Sequence, residues 1–226
     1  MKNPWSELPD VAPFVLPDDE VAVAAYLKHF SDAPNLKLQT QLMPEPYHGS
    51  PTAPVCILSL NPGFSEKDQY WHDNSELGRS LRGNLVHEES DYPFVFLDPR
   101  FIDSPGGQWW GRKLRHVTER IGLKSAASTF FNIELFPYHS KKFKRIPKKL
   151  SENQLVPSSE YSAHLVRQFI ADEKEIIVFR SKRQWIQLVP ELENYGNIMV
   201  VRNPQNPTVS PGNLDGYENL METIAV

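Results

Sequence analysis

Three asparagines, Asn61, Asn132 and Asn203, lie in or at the end of apolar runs, and each is followed by a proline within five residues. An amide presents a donor and an acceptor side by side, the complement of the O4 and N3–H edge of a pyrimidine such as uracil. Pro62 lacks an N–H and drives Asn61 towards an extended conformation, while Gly63 permits a tight turn and close approach of a ligand to the backbone. The same three residues also suit an ordinary strand-to-turn exit. Asn132, in the middle of an apolar run, needs partners for its amide, either a structural bond to a neighbouring loop or a ligand. Phe64 and the aromatic segment 92–97, with Phe94 and Phe96, offer rings on which a base could stack, or rings that close the core beneath a loop. Residues 141–149 hold six cations, among them Lys141, Lys142, Lys144 and Arg145. Such a run either grips phosphates or is a solvated loop. For a different chemistry, action on a small metabolite with no affinity for DNA, the acid–base groups available are His72, His139 and Asp98.

These residues require elements to hold them. Residues 55–60 are apolar without alternation, as in a strand buried on both faces of a parallel sheet. Residues 128–135, 175–180 and 197–202 read the same way, and 36–42 alternates as a half-exposed strand near an edge. Helices are expected from Asp18 or Asp19 to about Phe30, from a Ser65 cap, over 75–86, over 108–121 ended by Gly122, from Ser158 or Ser159 to Ala171, over 182–192, and from Asn213 or Asp215 onward. Strands separated mostly by helices indicate a three-layer α/β/α sandwich around a largely parallel sheet of four to five strands. All three asparagine loops then fall at the carboxyl edge of the sheet, where ligands bind in open α/β folds. Residues 1–17, with four prolines, form an ordered arm on what reads as a single domain over 1–226.

Composition sets limits. With 226 residues, 40% of them hydrophobic, the chain can build a sizeable core. A formal net charge of -4 disfavours a globally electrostatic nucleic-acid binder, although a local basic patch is compatible with it. The single cysteine, Cys56, sits inside an apolar run and reads as an inert core thiol. One cysteine allows neither an internal disulfide nor an iron–sulfur cluster. There is no phosphate-binding glycine motif and no His/Cys metal spacing. No apolar stretch approaches the roughly 18 residues of a membrane span, and no secretory segment follows Met1, so a cytoplasmic protein is expected; a monomer is expected as well.

The string Leu60-Asn61-Pro62-Gly63 resembles the first motif of the uracil-DNA glycosylase superfamily, in the G-[IM]-N-P-G form of its mismatch-specific and single-strand-selective branches. Phe131-Asn132-Ile133-Glu134-Leu135-Phe136-Pro137 is similar to its base-reading strand, H-N-x-C-P, with the Asn kept and the Pro spaced differently. Residues 203–213 resemble its second motif, H-P-S-x-x-[SN] or N-P-S. Asn203 stands where the His often is, and Gln205 replaces the Ser. The resemblance implies hydrolysis of the N-glycosidic bond of uracil, or of a related damaged base, flipped out of DNA, with no metal or other cofactor. It makes Asn61 the water-orienting residue and Asn203 a contact to O2 or the nearby backbone. Phe94 or Phe64 would stack on the base and Asn132 would read its edge, with Pro62, Gly63, Gln205 and Asn206 beside it. Lys141, Lys142, Lys144, Arg145 and Ser210 would meet the DNA backbone. The three asparagine side chains are expected to converge on one pocket. An uncharged Asn61 and the missing His imply modest rates, and leave open a protein that binds nucleic acid or a nucleobase with little or no catalysis.

Overall fold

The computed structural model describes residues 1–152 and 154–224. In chain order the regular elements are α1 (Glu20–His29), β1 (Tyr47–His48), β2 (Val55–Ser59), α2 (Glu66–His72), α3 (Ser75–Leu85), α4 (Pro105–Lys113), α5 (Arg115–Ile121), α6 (Leu123–Thr129), β3 (Phe130–Glu134), α7 (Ser159–Ala171), β4 (Glu175–Val178), α8 (Lys182–Leu188), β5 (Ile198–Val200) and α9 (Tyr217–Ile224). The strands form one sheet in the order β1-β3-β2-β4-β5. All neighbouring pairs are parallel except β1 with β3. The chain is therefore an α/β protein with a five-stranded, mostly parallel sheet.

β2 and β3 are buried along their whole length, so both faces of the sheet centre are covered. This is what a strand without polar alternation requires. Ile57 and Leu58 are 0% exposed, and each such side chain contributes about 1.5–3 kcal/mol by leaving water. Cys56 is a buried free thiol in the same strand, and burial pushes it well above the ordinary thiol range. The N-terminal arm packs Trp5, Leu8, Val15 and Leu16 into this core. Asp19, just before α1, accepts hydrogen bonds from Ser158 N–H (2.9 Å), Ser158 Oγ (2.6 Å) and Tyr138 Oη (2.7 Å), tying the first helix to the start of α7.

Two expectations need correction. Residues 36–42 are not a strand. Leu36, Leu38 and Leu42 are buried, as the alternation implies, but backbone bonding to the neighbouring segment is sparse. Gln39 N–H donates to the His139 carbonyl at 2.9 Å and Glu45 N–H to the Pro137 carbonyl at 3.0 Å. Glu45 lies outside 36–42, so among the described residues one backbone bond joins the expected strand to the segment after β3 and no ladder forms. The edge strand is instead β1, inside the Pro-rich connection, with Tyr47 opposite Ile133 and His48 opposite Asn132. The second correction concerns 108–121 and 128–135. The helix starts at Pro105, capped by Ser104 Oγ accepting from Gly107 N–H at 2.9 Å, and breaks at the buried Leu114. Gly122 (φ 83) ends α5 and starts α6, which occupies 123–129 and delays the strand to Phe130. The strands expected over 175–180 and 197–202 are likewise shorter, and residues 179–180 and 201–202 become the exits at the carboxyl edge.

Candidate functional site

The loop 60–65 leaves β2 beside the chain leaving β3, and the two stay hydrogen-bonded past the strand ends. Phe136 N–H donates to the Leu60 carbonyl at 2.9 Å and Ser140 N–H to the Pro62 carbonyl at 3.3 Å. The Asn61 amide donates to Ser140 Oγ (3.1 Å) and to the Pro62 carbonyl (2.8 Å). Its Oδ1 receives no hydrogen bond from any described residue. Ser65 opens α2, its N–H donating to Asp68 at 2.5 Å, which fixes where the loop ends.

Asn61, Pro62, Gly63 and Phe64 line a cavity of about 300 Å³ at the carboxyl edge of the sheet. It is also lined by the aromatic Phe96, Trp109 and Trp110 and by the buried Glu45, His48, Glu134 and His139. Phe96 can approach because Gly106 carries no Cβ, which would lie 2.5 Å from the ring. A Cβ at Gly63, by contrast, would meet nothing within 4 Å. Lys141 and Arg180 bring cations to the rim.

Asn132 and Asn203 do not line this cavity. The Asn132 carbonyl accepts from Ser59 Oγ at 2.6 Å and its amide donates to Glu134 Oε1 at 3.0 Å, so donor and acceptor are engaged inside the sheet. The group that faces the cavity is Glu134, two residues on along the same strand face. Its Oε2 is buried with no hydrogen-bond partner among the described residues. Burial pushes the Glu134 carboxyl up to about 8, against the hydrogen bond from Asn132 and with the charge of Glu45 adding to the shift. At neutral pH it is a carboxylic acid, offering a donor and an acceptor as an amide does.

Asn203 folds its side chain onto its own loop, Oδ1 accepting from Gln205 N–H (3.1 Å) and Asn206 N–H (3.2 Å). Arg180, at the exit of β4, links this loop to the cavity by donating to the Pro204 (3.2 Å) and Gln205 (3.3 Å) carbonyls. Gln205 is exposed, and Asn206 accepts from Lys113 Nζ at 2.7 Å. Ser210 is buried with its Oγ 2.9 Å from Thr208 Oγ1. Phe94 is buried against Trp110, ring centroids 4.8 Å apart, beneath the cavity rather than in it. The basic run divides. Lys141 stands at the rim, Nζ 5.9 Å from the Phe64 ring centre, and Lys142 and Lys144 are exposed. Arg145 turns away to Gln154 and Gln187.

His72 and His139 converge on Glu45, each with Nε2 3.4 Å from Oε1. His48 Nε2 lies 3.1 Å from the other oxygen. Burial opposes ionisation of both members of the Glu45–His139 pair, but their mutual attraction outweighs it. The carboxyl is held well below the ordinary range and the imidazole is raised to about 9. Asp98 is elsewhere, paired with Arg100 at 2.6 Å on a separate cavity of about 280 Å³.

Comparison of the chain with protein-family models, curated proteins and solved structures gave no match. The geometry of the cavity is thus the basis for reading its chemistry. Among the described residues no helix is long and apolar enough to cross a membrane.

Sequence reasoning alone passed over Glu45, Trp109, Glu134 and Arg180. A signal existed for Glu134, which shares a strand face with Asn132. Glu45 lies in a Pro-rich connection with no periodicity to mark it.

Proposed function

We propose that the chain is a uracil-DNA glycosylase-like protein that takes a flipped-out pyrimidine, uracil or a related damaged base, into this cavity and hydrolyses its N-glycosidic bond. The observation that carries the proposal is Asn61 of the Asn-Pro-Gly loop, set in an aromatic-walled cavity with its Oδ1 unengaged. A base stacks against the Phe64, Phe96 and Trp109 rings, as the π-face of any base allows. The protonated Glu134 carboxyl donates to a base carbonyl, the part assigned to Asn132 by sequence. Asn61 Oδ1 accepts a hydrogen bond from a water molecule and holds it for attack on C1′. The C1′–O bond forms as the C1′–N1 bond breaks, the electron pair leaves with the base as an anion, and the proton shed by the attacking water passes through solvent to that anion, giving the sugar hydroxyl and the free base. The Arg180 guanidinium at the rim stabilises that charge. Lys141 and the exposed Lys142 and Lys144 meet the phosphates on either side.

A second reading, base binding without cleavage, is favoured by Asn203, whose side chain caps its own loop. The two are separated by a single-turnover assay on uracil-containing DNA, followed by alkali to cut at abasic sites, with equilibrium binding measured on the same strands. Cleavage lost in Asn61→Ala supports the enzyme. Tight uracil-dependent binding without cleavage supports the second reading, and neither binding nor cleavage refutes both.

A further inference from the structure

Glu45, His72 and His139 come from three separate parts of the chain: the connection before β1, the last residue of α2 and the segment after β3. Both imidazoles direct Nε2 at the same carboxylate oxygen, at 3.4 Å each, and all three donor atoms lie within 4.8 Å of one another. Two ligands on a tetrahedral zinc ion with bonds of about 2.0–2.1 Å are roughly 3.3–3.4 Å apart. We propose that Glu45, His72 and His139 form a binding site for a zinc-class divalent transition metal.

Three further observations fit that assignment. His139 Nδ1 lies 2.7 Å from the Gly63 carbonyl and donates to it, so the proton a metal ion would displace is the one on Nε2, which in the metal-free chain faces Glu45 and the Met43 carbonyl. The second oxygen of Glu45 is held by His48, the kind of outer contact that orients a ligating carboxylate. A fourth position is within reach, since the Met43 carbonyl is 3.1 Å from His139 Nε2 and the cavity beside Glu45 and His139 admits water. The side chains of Glu45, His72 and His139 are only 8%, 9% and 2% exposed, so the site excludes most solvent, which strengthens ion–ligand attraction. Two imidazoles and a carboxylate suit zinc, cobalt or nickel rather than calcium or magnesium, which prefer oxygen alone. A bound ion would clip the end of α2 and, through the Gly63 carbonyl, the Asn-Pro-Gly loop to the segment after β3. The competing reading is a metal-free pair in which His139 simply donates to Glu45 and Met43. The inference does not depend on what the cavity binds.

The test uses the full chain, stripped with chelator and titrated with Co²⁺ and then Zn²⁺. The assignment expects one equivalent of Co²⁺ with the strong visible bands of a low-coordinate site, displaced by Zn²⁺. His72→Ala and Glu45→Gln should weaken binding by more than the roughly 10–100-fold that outer-shell changes cost, and His48→Gln should fall within that range. His116→Ala, an exposed imidazole distant in sequence from the trio, should change nothing. His72→Cys guards against a failure to fold: it keeps a ligand at that position and should add a thiolate-to-cobalt charge-transfer band absent from the parent. No stoichiometric Co²⁺ binding by the parent overturns the proposal. So does equal affinity in His72→Ala and Glu45→Gln, or Co²⁺ bound by His72→Cys without the new band.

Discussion

Replacing Glu134 by glutamine isolates one titration whose sign and size follow from the structure. In the unfolded chain this carboxyl ionises near 4.5, whereas in the fold burial holds it protonated up to about 8. Between those values the native state binds one proton more than the unfolded state, so stability falls as pH rises from 4.5 through 8. At 1.36 kcal/mol per pH unit, the loss is of order 3 kcal/mol by pH 7 and about 5 kcal/mol above pH 8. Glutamine keeps the size, the acceptor for Asn132 and a donor towards the cavity, but it does not titrate. Denaturant unfolding of parent and Glu134→Gln, at intervals from pH 5 to 9 with chelator present, should therefore diverge. The variant gains on the parent progressively, and the gap stops growing above pH 8. Base binding by the parent should decline over the upper end of the same range, as the donor is lost, while that of Glu134→Gln stays level. Parallel stability curves would refute the assignment of a neutral carboxyl lining the cavity.

Gly63→Ala should leave stability within about 0.5 kcal/mol, since the added methyl meets open space and the backbone is not left-handed. It should weaken binding of uracil-containing DNA if the base passes over this loop, and unchanged affinity would remove Gly63 from the site. Asn132→Ala should cost about 2–4 kcal/mol in thermal or denaturant unfolding, because Ser59 Oγ and Glu134 Oε1 lose their partner inside the sheet. A loss of base selectivity without loss of stability would restore Asn132 as a reader of the base. Lys141→Ser should reduce the log–log salt slope of DNA binding by about 0.9, whereas Arg145→Ser, pinned to Gln154 and Gln187, should leave it unchanged.

The sheet was legible because buried parallel strands leave a recognisable pattern: 55–60 shows no polar alternation and ends at Pro62, and 130–134 lies in a mostly apolar run closed by Pro137, with Asn132 and Glu134 its only polar residues. Alternation over 36–42 was misleading because it records burial, not pairing: of these residues Gln39 alone bonds the segment after β3. The break at Leu114 has neither Gly nor Pro to announce it. Asn61, Asn132 and Asn203 were all drawn from apolar runs that end in proline turns and from short motif resemblances, and of the three Asn61 lines the cavity. Which amide reaches a cavity depends on partners that only the folded chain supplies, here Ser59 and Glu134 for one and the backbone of residues 205–206 for the other. Glu45, His72 and His139 are separated by 27 and 67 positions, so no spacing rule brings them together.

The central claim, that a base enters the cavity beside Asn61, is tested most directly by ¹⁵N-resolved NMR. The chain is titrated with a short uracil-containing strand while the five tryptophan indole N–H signals and the asparagine side-chain amides are followed. Trp109 and the Asn61 amide line the cavity, whereas Trp5 is buried in the N-terminal arm and Trp185 is buried with its indole N–H on the Ser59 carbonyl. The account predicts saturable shifts of Trp109 and Asn61 that require uracil in the strand, with Trp5 and Trp185 unmoved. Shifts confined to the 203–213 loop, or none at all, would contradict it.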